Sequence, residues 1–151
     1  MNRMTQAFEI PGRLMGLNEY VRECRGNRYR GAKAKRDQQD IVVAAIRAAG
    51  VKRCDYPVEV GVSWVEGRNA NGAMRDPDNI RFGLKFILDA LVECRIIPND
   101  SPYWVRRTFD SYSYNNDNPR VQVRIDRYDP KGRTVHYLPV DGLKERPNGN
   151  E

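Results

Sequence analysis

The chain has 151 residues, 40% hydrophobic and 30% charged, with a formal charge of +6 and a pI near 9.4. That length suits one domain able to bury its own core, and is too short for two comfortable ones. No apolar run approaches the roughly 18 residues of a membrane span, and Cys24, Cys54 and Cys94 lack the paired spacing of a zinc site or a disulfide framework, which points to a soluble intracellular protein.

In chain order, residues 7–10 alternate loosely and stop at Pro11-Gly12, the pattern of a short strand and a turn. The positive charge is concentrated next. Residues 22–36 hold seven bases (Arg22, Arg25, Arg28, Arg30, Lys33, Lys35 and Arg36) against one acid, Glu23, and the rest of the chain carries nineteen of each sign. Gly26 and Gly31 in this stretch predict a loop rather than a continuous helix. A basic loop is either a solvated surface or a phosphate clamp that gains by counterion release. Tyr29 lies within this stretch, and a core role is favoured for Trp104 further on.

Residues 37–49 place Ile41, Val42, Ala45, Ile46 and Ala49 at helical spacing, with Gly50 as the stop. Residues 57–65 alternate, with Val58, Val60, Val62 and Trp64 on one face, as in a half-buried strand. After a polar loop, a second helix is predicted with Asp78 or Asn79 as N-cap, its apolar stripe formed by Ile80, Leu84, Ile87, Leu88 and Leu91, and its limit set by Pro98. Residues 103–114 and 120–128 read as two strands joined by the turn-rich segment 115–119. Residues 129–151 form a polar extension in which 134–140 are suited to an edge strand. The order β-α-β-α-β-β predicts one α+β domain over residues 1–128, a mixed sheet with two main helices packed on it.

The chemistry-bearing segment runs from Arg75 to Leu91 and on to Asn99-Asp100. Asp76 and Asp78 flank Pro77, and in extended backbone residues two apart point the same way, so both carboxylates converge on a shared cation such as Mg²⁺. An N-cap and a favourable charge at a helix start account for the same two residues without a metal. An EF-hand is excluded because Arg81 stands where the loop needs Gly, and no phosphate-binding Gly-x-x-x-x-Gly-Lys-Ser/Thr loop is present, so no nucleotide cofactor is expected.

Asp76-Pro77-Asp78-Asn79-Ile80, then Lys85, Asp89-Ala90-Leu91 and Asn99-Asp100 in that order resemble the RusA family of Holliday junction resolvases, common in phages and prophages. The likeness extends over roughly residues 7–128 and includes Pro11-Gly12-Arg13 through Asn18-Glu19-Tyr20. It implies a Mg²⁺-dependent endonuclease, with Mn²⁺ as a substitute, that cuts four-way DNA junctions symmetrically as a homodimer in the cytoplasm of a bacterial host during recombination and repair. Asp76, Asp78 and Asp100 match the family's essential acids and metal ligands, Lys85 its essential lysine, and the seven bases of residues 22–36 become DNA contacts. Asn99 replaces the first acid of the family's Asp-Asp pair, and the interval from Asp78 to Lys85 is longer by close to one helical turn. Without the family, Lys85 reads equally well as an i,i+4 surface pair with Asp89.

If residues 79–95 form one helix, its ends lie about 24 Å apart, so Asp100 is not expected to reach its own chain's Asp78, and each site would be composite across an antiparallel dimer. Two alternatives stand beside the resolvase: a nuclease for other branched DNA, and a non-catalytic basic DNA-binding phage protein.

Overall fold

A computed structural model describes residues 5–132. The elements are strand β1 (Thr5–Pro11), helices α1 (Leu17–Gly26) and α2 (Arg28–Ala49), strand β2 (Val58–Glu66), helices α3 (Pro77–Arg81) and α4 (Leu84–Glu93), and strands β3 (Val105–Tyr114) and β4 (Arg120–Arg127). They make one α+β domain with a mixed four-stranded sheet in the order β1-β4-β2-β3. The suggested strand at 134–140 lies outside the described residues.

β4 is antiparallel to both β1 and β2, whereas β2 and β3 run parallel. The turn at 115–119 therefore does not close a hairpin between its two strands. β2 lies between them, because its valines and Trp64 pack at the centre of the sheet. All nine β2 residues are buried, so the strand is covered on both faces instead of one. Its core face joins Phe8, Ile10, Val121, Val123 and Ile125 to Val42 and Ile46 of α2 and to Phe86, Ile87, Ala90 and Leu91 of α4. On the opposite face Glu59 is 1% exposed, with Arg107 Nη1 3.4 Å from its carboxylate. A register shift at Val58/Glu59 marks a β-bulge that brings two successive β3 residues to the same side. Arg106 and Arg107 both cover the Tyr128 ring there, at 4.8 and 5.2 Å from its centroid. Trp104 is half-buried beside Tyr103, outside the main core cluster.

The basic segment is helical, which corrects the predicted loop. Asn27 is extended (φ −171°, ψ 163°) and separates α1 from α2, its side chain accepting from the N–H of Arg30 at 2.9 Å. Gly31 does not break α2. It is buried where α1 crosses, and a Cβ there would stand 2.7 Å from Cys24 Sγ and 3.2 Å from the Cys24 Cα. The glycine marks a close helix–helix approach. α2 then ends as predicted at Gly50, which is left-handed (φ 65°) and returns its N–H to the carbonyls of Arg47 and Ile46.

The second predicted helix is also interrupted. α3 stops at Arg81 and α4 starts at Leu84, ten residues that end well before Pro98. Gly83 sits at the junction and is itself right-handed (φ −59°, ψ −17°). Its backbone lies against Leu14 and the Trp64 ring, where a Cβ would be only 3.1 Å from both. Phe82 and Phe86, on either side of the break, stack edge-on with each other and against Tyr20 of α1. No helix among the described residues is long and apolar enough to cross a membrane.

Candidate functional site

The site is organised around the start of α3. Asp76, not Asp78 or Asn79, is the N-cap residue, with Pro77 at the first helical position and Asp78 in the first turn. Pro77 has the φ a first turn needs and no N–H to leave unsatisfied. The Asp76 side chain makes no capping hydrogen bond, so capping does not account for its carboxylate. Both Asp76 and Asp78 are exposed.

What fixes their backbone is the residue before them. Arg75 is buried, with its side chain 5% exposed, and grips Glu66 at the end of β2, 4% exposed. Nη2 donates to Oε1 at 2.5 Å and Nε to Oε2 at 3.3 Å, while Nη1 donates to the carbonyl of Leu14 at 3.0 Å. Arg13 reaches the same carboxylate at 3.5 Å and also donates to Gly67 O and Asn69 Oδ1. A charged pair this deep is retained only when its remaining donors and acceptors are also matched, and here they are. Asn79, the fourth residue of the acidic motif, serves a different helix. Its Oδ1 accepts from the N–H of Asn18 at 3.0 Å and so caps α1. Gly16 makes room for it, since a Cβ there would be 2.4 Å from that oxygen.

One residue of this region carries no signal in the acidic motif: Asp110 of β3. It accepts from Trp64 Nε1 and from Arg81 Nε, both at 2.8 Å, and Arg81 also donates to Thr108 Oγ1 at 3.2 Å. Tyr112, the next residue on that face, has its phenol pushed up by burial and then by the charges of Asp110 and Asp78. The period-2 run Thr108, Asp110, Tyr112, Tyr114 was the available sign that Asp110 faces the helices.

The other expected residues stand apart. Lys85 lies in the first turn of α4, half-exposed, with Nζ 3.8 Å from Asp89; Lys35 of α2 approaches the same carboxylate at 3.6 Å. Asp100 is exposed in the turn before β3, where Asn99 Oδ1 accepts from the N–H of Ser101 at 3.0 Å. That turn closes directly onto Val105. Arg75, the residue before Asp76, is held at Glu66, which pairs with Tyr114 at the far end of β3, nine residues or about 30 Å from Val105. The extended-backbone reason for Asp76 and Asp78 to converge does not hold, because Pro77 and Asp78 are already helical, and Asp100 lies toward the other end of the sheet. Among the described residues, no three His, Cys, Asp or Glu side chains gather as a metal cluster. Two exposed carboxylates bracketing a proline nevertheless suit Mg²⁺, which typically takes one or two carboxylates and keeps several waters.

The basic segment divides in two. Arg30 pairs with Glu23 at 3.0 Å, Lys33 with Asp37, Lys35 with Asp89, and Arg36 with Asp40 and Glu93. The Glu93 carboxyl is held below the usual range first by the Arg36 hydrogen bond and then by that from Gln39. Arg22, Arg25 and Arg28 have no acidic partner within ion-pair distance among the described residues and are exposed. Arg25 lies seven residues, about 10 Å, along α1 from the point where Asn79 caps it. No protein-family model matches the chain, and no curated protein matches it.

Proposed function

We propose that the chain is a RusA-like, metal-dependent endonuclease that resolves four-way DNA junctions as a homodimer. The observation that carries this reading is the Asp76-Pro77-Asp78 turn, two exposed carboxylates of which Asp76 makes no capping hydrogen bond, anchored from behind by the buried Arg75–Glu66 pair. Asp76 and Asp78 would hold Mg²⁺ or Mn²⁺. When bound, such an ion neutralises phosphate charge and activates water. Asp100 lies in the turn that leads into the Val105 end of β3, away from the Glu66 end where Arg75 is anchored, which favours a composite site where a second copy contributes it, and symmetric cutting of a two-fold junction calls for that symmetry. Lys85 supplies positive charge for the phosphate once drawn from Asp89, and Arg22, Arg25 and Arg28 supply contacts to the DNA arms that gain by counterion release.

A second reading, a basic DNA-binding protein without catalysis, draws on Lys85 being engaged by Asp89 within its own helix. The discriminating experiment is a gel assay of labelled four-way junction, flap, duplex and single-stranded DNA, with Mg²⁺ or EDTA, for wild type and Asp78→Asn. Paired symmetric nicks on the junction that vanish with EDTA and in the variant are expected. Cleavage of flaps in preference to junctions would move the reading to another branched substrate. Binding without cleavage in Mg²⁺, and again when Mn²⁺ replaces it, would overturn the enzyme.

A further inference from the structure

We propose that the corner between α1 and α2 is a stacking platform for an unpaired nucleobase, with Tyr29 as the platform and Arg22, Arg25 and Arg28 as contacts to the neighbouring phosphates. The inference rests on the nucleic-acid-binding part of the function above and not on cleavage.

Tyr29 is 71% exposed, more than any other large hydrophobic side chain among the described residues. It belongs to no core cluster. Its ring is nonetheless oriented, since the Arg28 guanidinium stands 5.1 Å from the centroid and Nη2 donates to the phenolic oxygen at 3.2 Å. The corner beneath it is rigid: Asn27 caps α2, Gly31 seats α2 against Cys24, and Arg30 reaches back across the corner to Glu23 at 3.0 Å. Four of the seven bases in this segment are spent on acids of their own chain, and the three that are not, Arg22, Arg25 and Arg28, lie in the seven residues before this ring.

The chemistry of the group selects its partner. An aromatic face among unpaired cations is the pattern that binds single-stranded nucleic acid, because every base has a π-face and every nucleotide a phosphate. A continuous duplex offers the phosphates but keeps its base faces stacked. An acidic peptide offers charge and leaves the ring without a stacking partner. The occupant that uses both features is a strand with an open base, as at a fork or branch point.

The full-length protein is titrated in EDTA, where no cleavage occurs, against a forked DNA carrying 2-aminopurine at its first unpaired position and against a continuous duplex of the same length. Tyr29→Ala is expected to weaken fork binding about tenfold, to abolish quenching of the 2-aminopurine, and to leave duplex affinity unchanged. Tyr29→Trp is expected to retain both fork affinity and quenching. Arg25→Gln is expected to weaken both DNAs and reduce the salt slope by about one. Equal loss on fork and duplex in Tyr29→Ala, quenching that survives that change, or tighter binding of a polyglutamate peptide than of forked DNA would overturn the inference. A Tyr29-dependent signal in a protein that cuts no DNA would keep the platform and remove the nuclease. Asp78-dependent cleavage without that signal would do the reverse.

Discussion

Replacing Arg75 with Met tests how the acidic turn is held. The substitution strands the Glu66 carboxylate, only 4% exposed, and removes the donor to Leu14 O. Breaking a buried pair from one side costs about 3–5 kcal/mol because a charge is left without compensation. Arg13 remains 3.5 Å from the same carboxylate, so the lower end, about 3 kcal/mol, is expected. At about 2–4 °C per kcal/mol for a domain of this size, the melting temperature should fall by about 6–12 °C. The double variant Arg75→Met/Glu66→Met leaves no stranded charge and should recover part of the loss, since contacting residues do not add. Urea titrations of both variants give the comparison, provided the m-value is unchanged. A single-variant cost below about 1 kcal/mol, or a double variant that costs the sum of its parts, would refute the argument that this pair is a matched unit.

Gly31→Ala gains helix propensity yet should destabilise the protein by about 1–3 kcal/mol, because its Cβ meets Cys24 at 2.7 Å; adding Cys24→Ala should restore part of that in the same denaturation assay. Asp110→Ala leaves the Trp64 indole N–H without its acceptor and should cost about 1–3 kcal/mol, whereas Asp110→Asn should cost less; a red shift of tryptophan fluorescence would report the loosened ring. Burial holds the Cys54 thiol above its ordinary range. The unfolded chain therefore releases that proton first, so the contribution is intact below about pH 8.5 and is lost as pH rises beyond it, by at most about 1.4 kcal/mol per pH unit; melts at pH 7.5 and 10 measure it. At pH 8, iodoacetamide should label Cys24, which is exposed, well before Cys54, and mass mapping of the alkylated peptides decides the order.

The legible parts of the fold were those set by local periodicity. β2 and β4 announce themselves by alternation, and the second half of α2 by its apolar spacing and Gly50. Pairing is not local, so the turn at 115–119 suggested neighbours where the sheet inserts β2. Glycine misled at Gly31, which was read as breaking the helix and instead marks a place where another element comes too close for a Cβ. The interruption at Phe82-Gly83 was not foreseen, since the apolar stripe from Ile80 to Leu91 runs straight across it. At the site, Asp76 and Asp78 were visible as a pair because Pro77 spaces them. Arg75, Glu66 and Asp110 were not, since each acquires its meaning only from a partner on a different element. Asn79 was legible as a capping residue but not as the cap of another helix.

The sheet order also bears on how the protein is made. Thr5 reaches Asp126 across 121 positions of chain, and among the described residues β1 has no neighbour in the sheet except β4. During synthesis the first strand therefore leaves the ribosome with nothing to pair against until nearly the whole domain has followed. β2 and β3 can associate meanwhile, but β4 must then join at the free edge of β2 and accept β1 on its other side. The described sheet cannot close without residues 120–127, so a nascent chain stalled before them holds its N-terminal strand without its β4 partner. A chain shortened to residue 119 should be insoluble or protease-sensitive throughout, not merely frayed at its end.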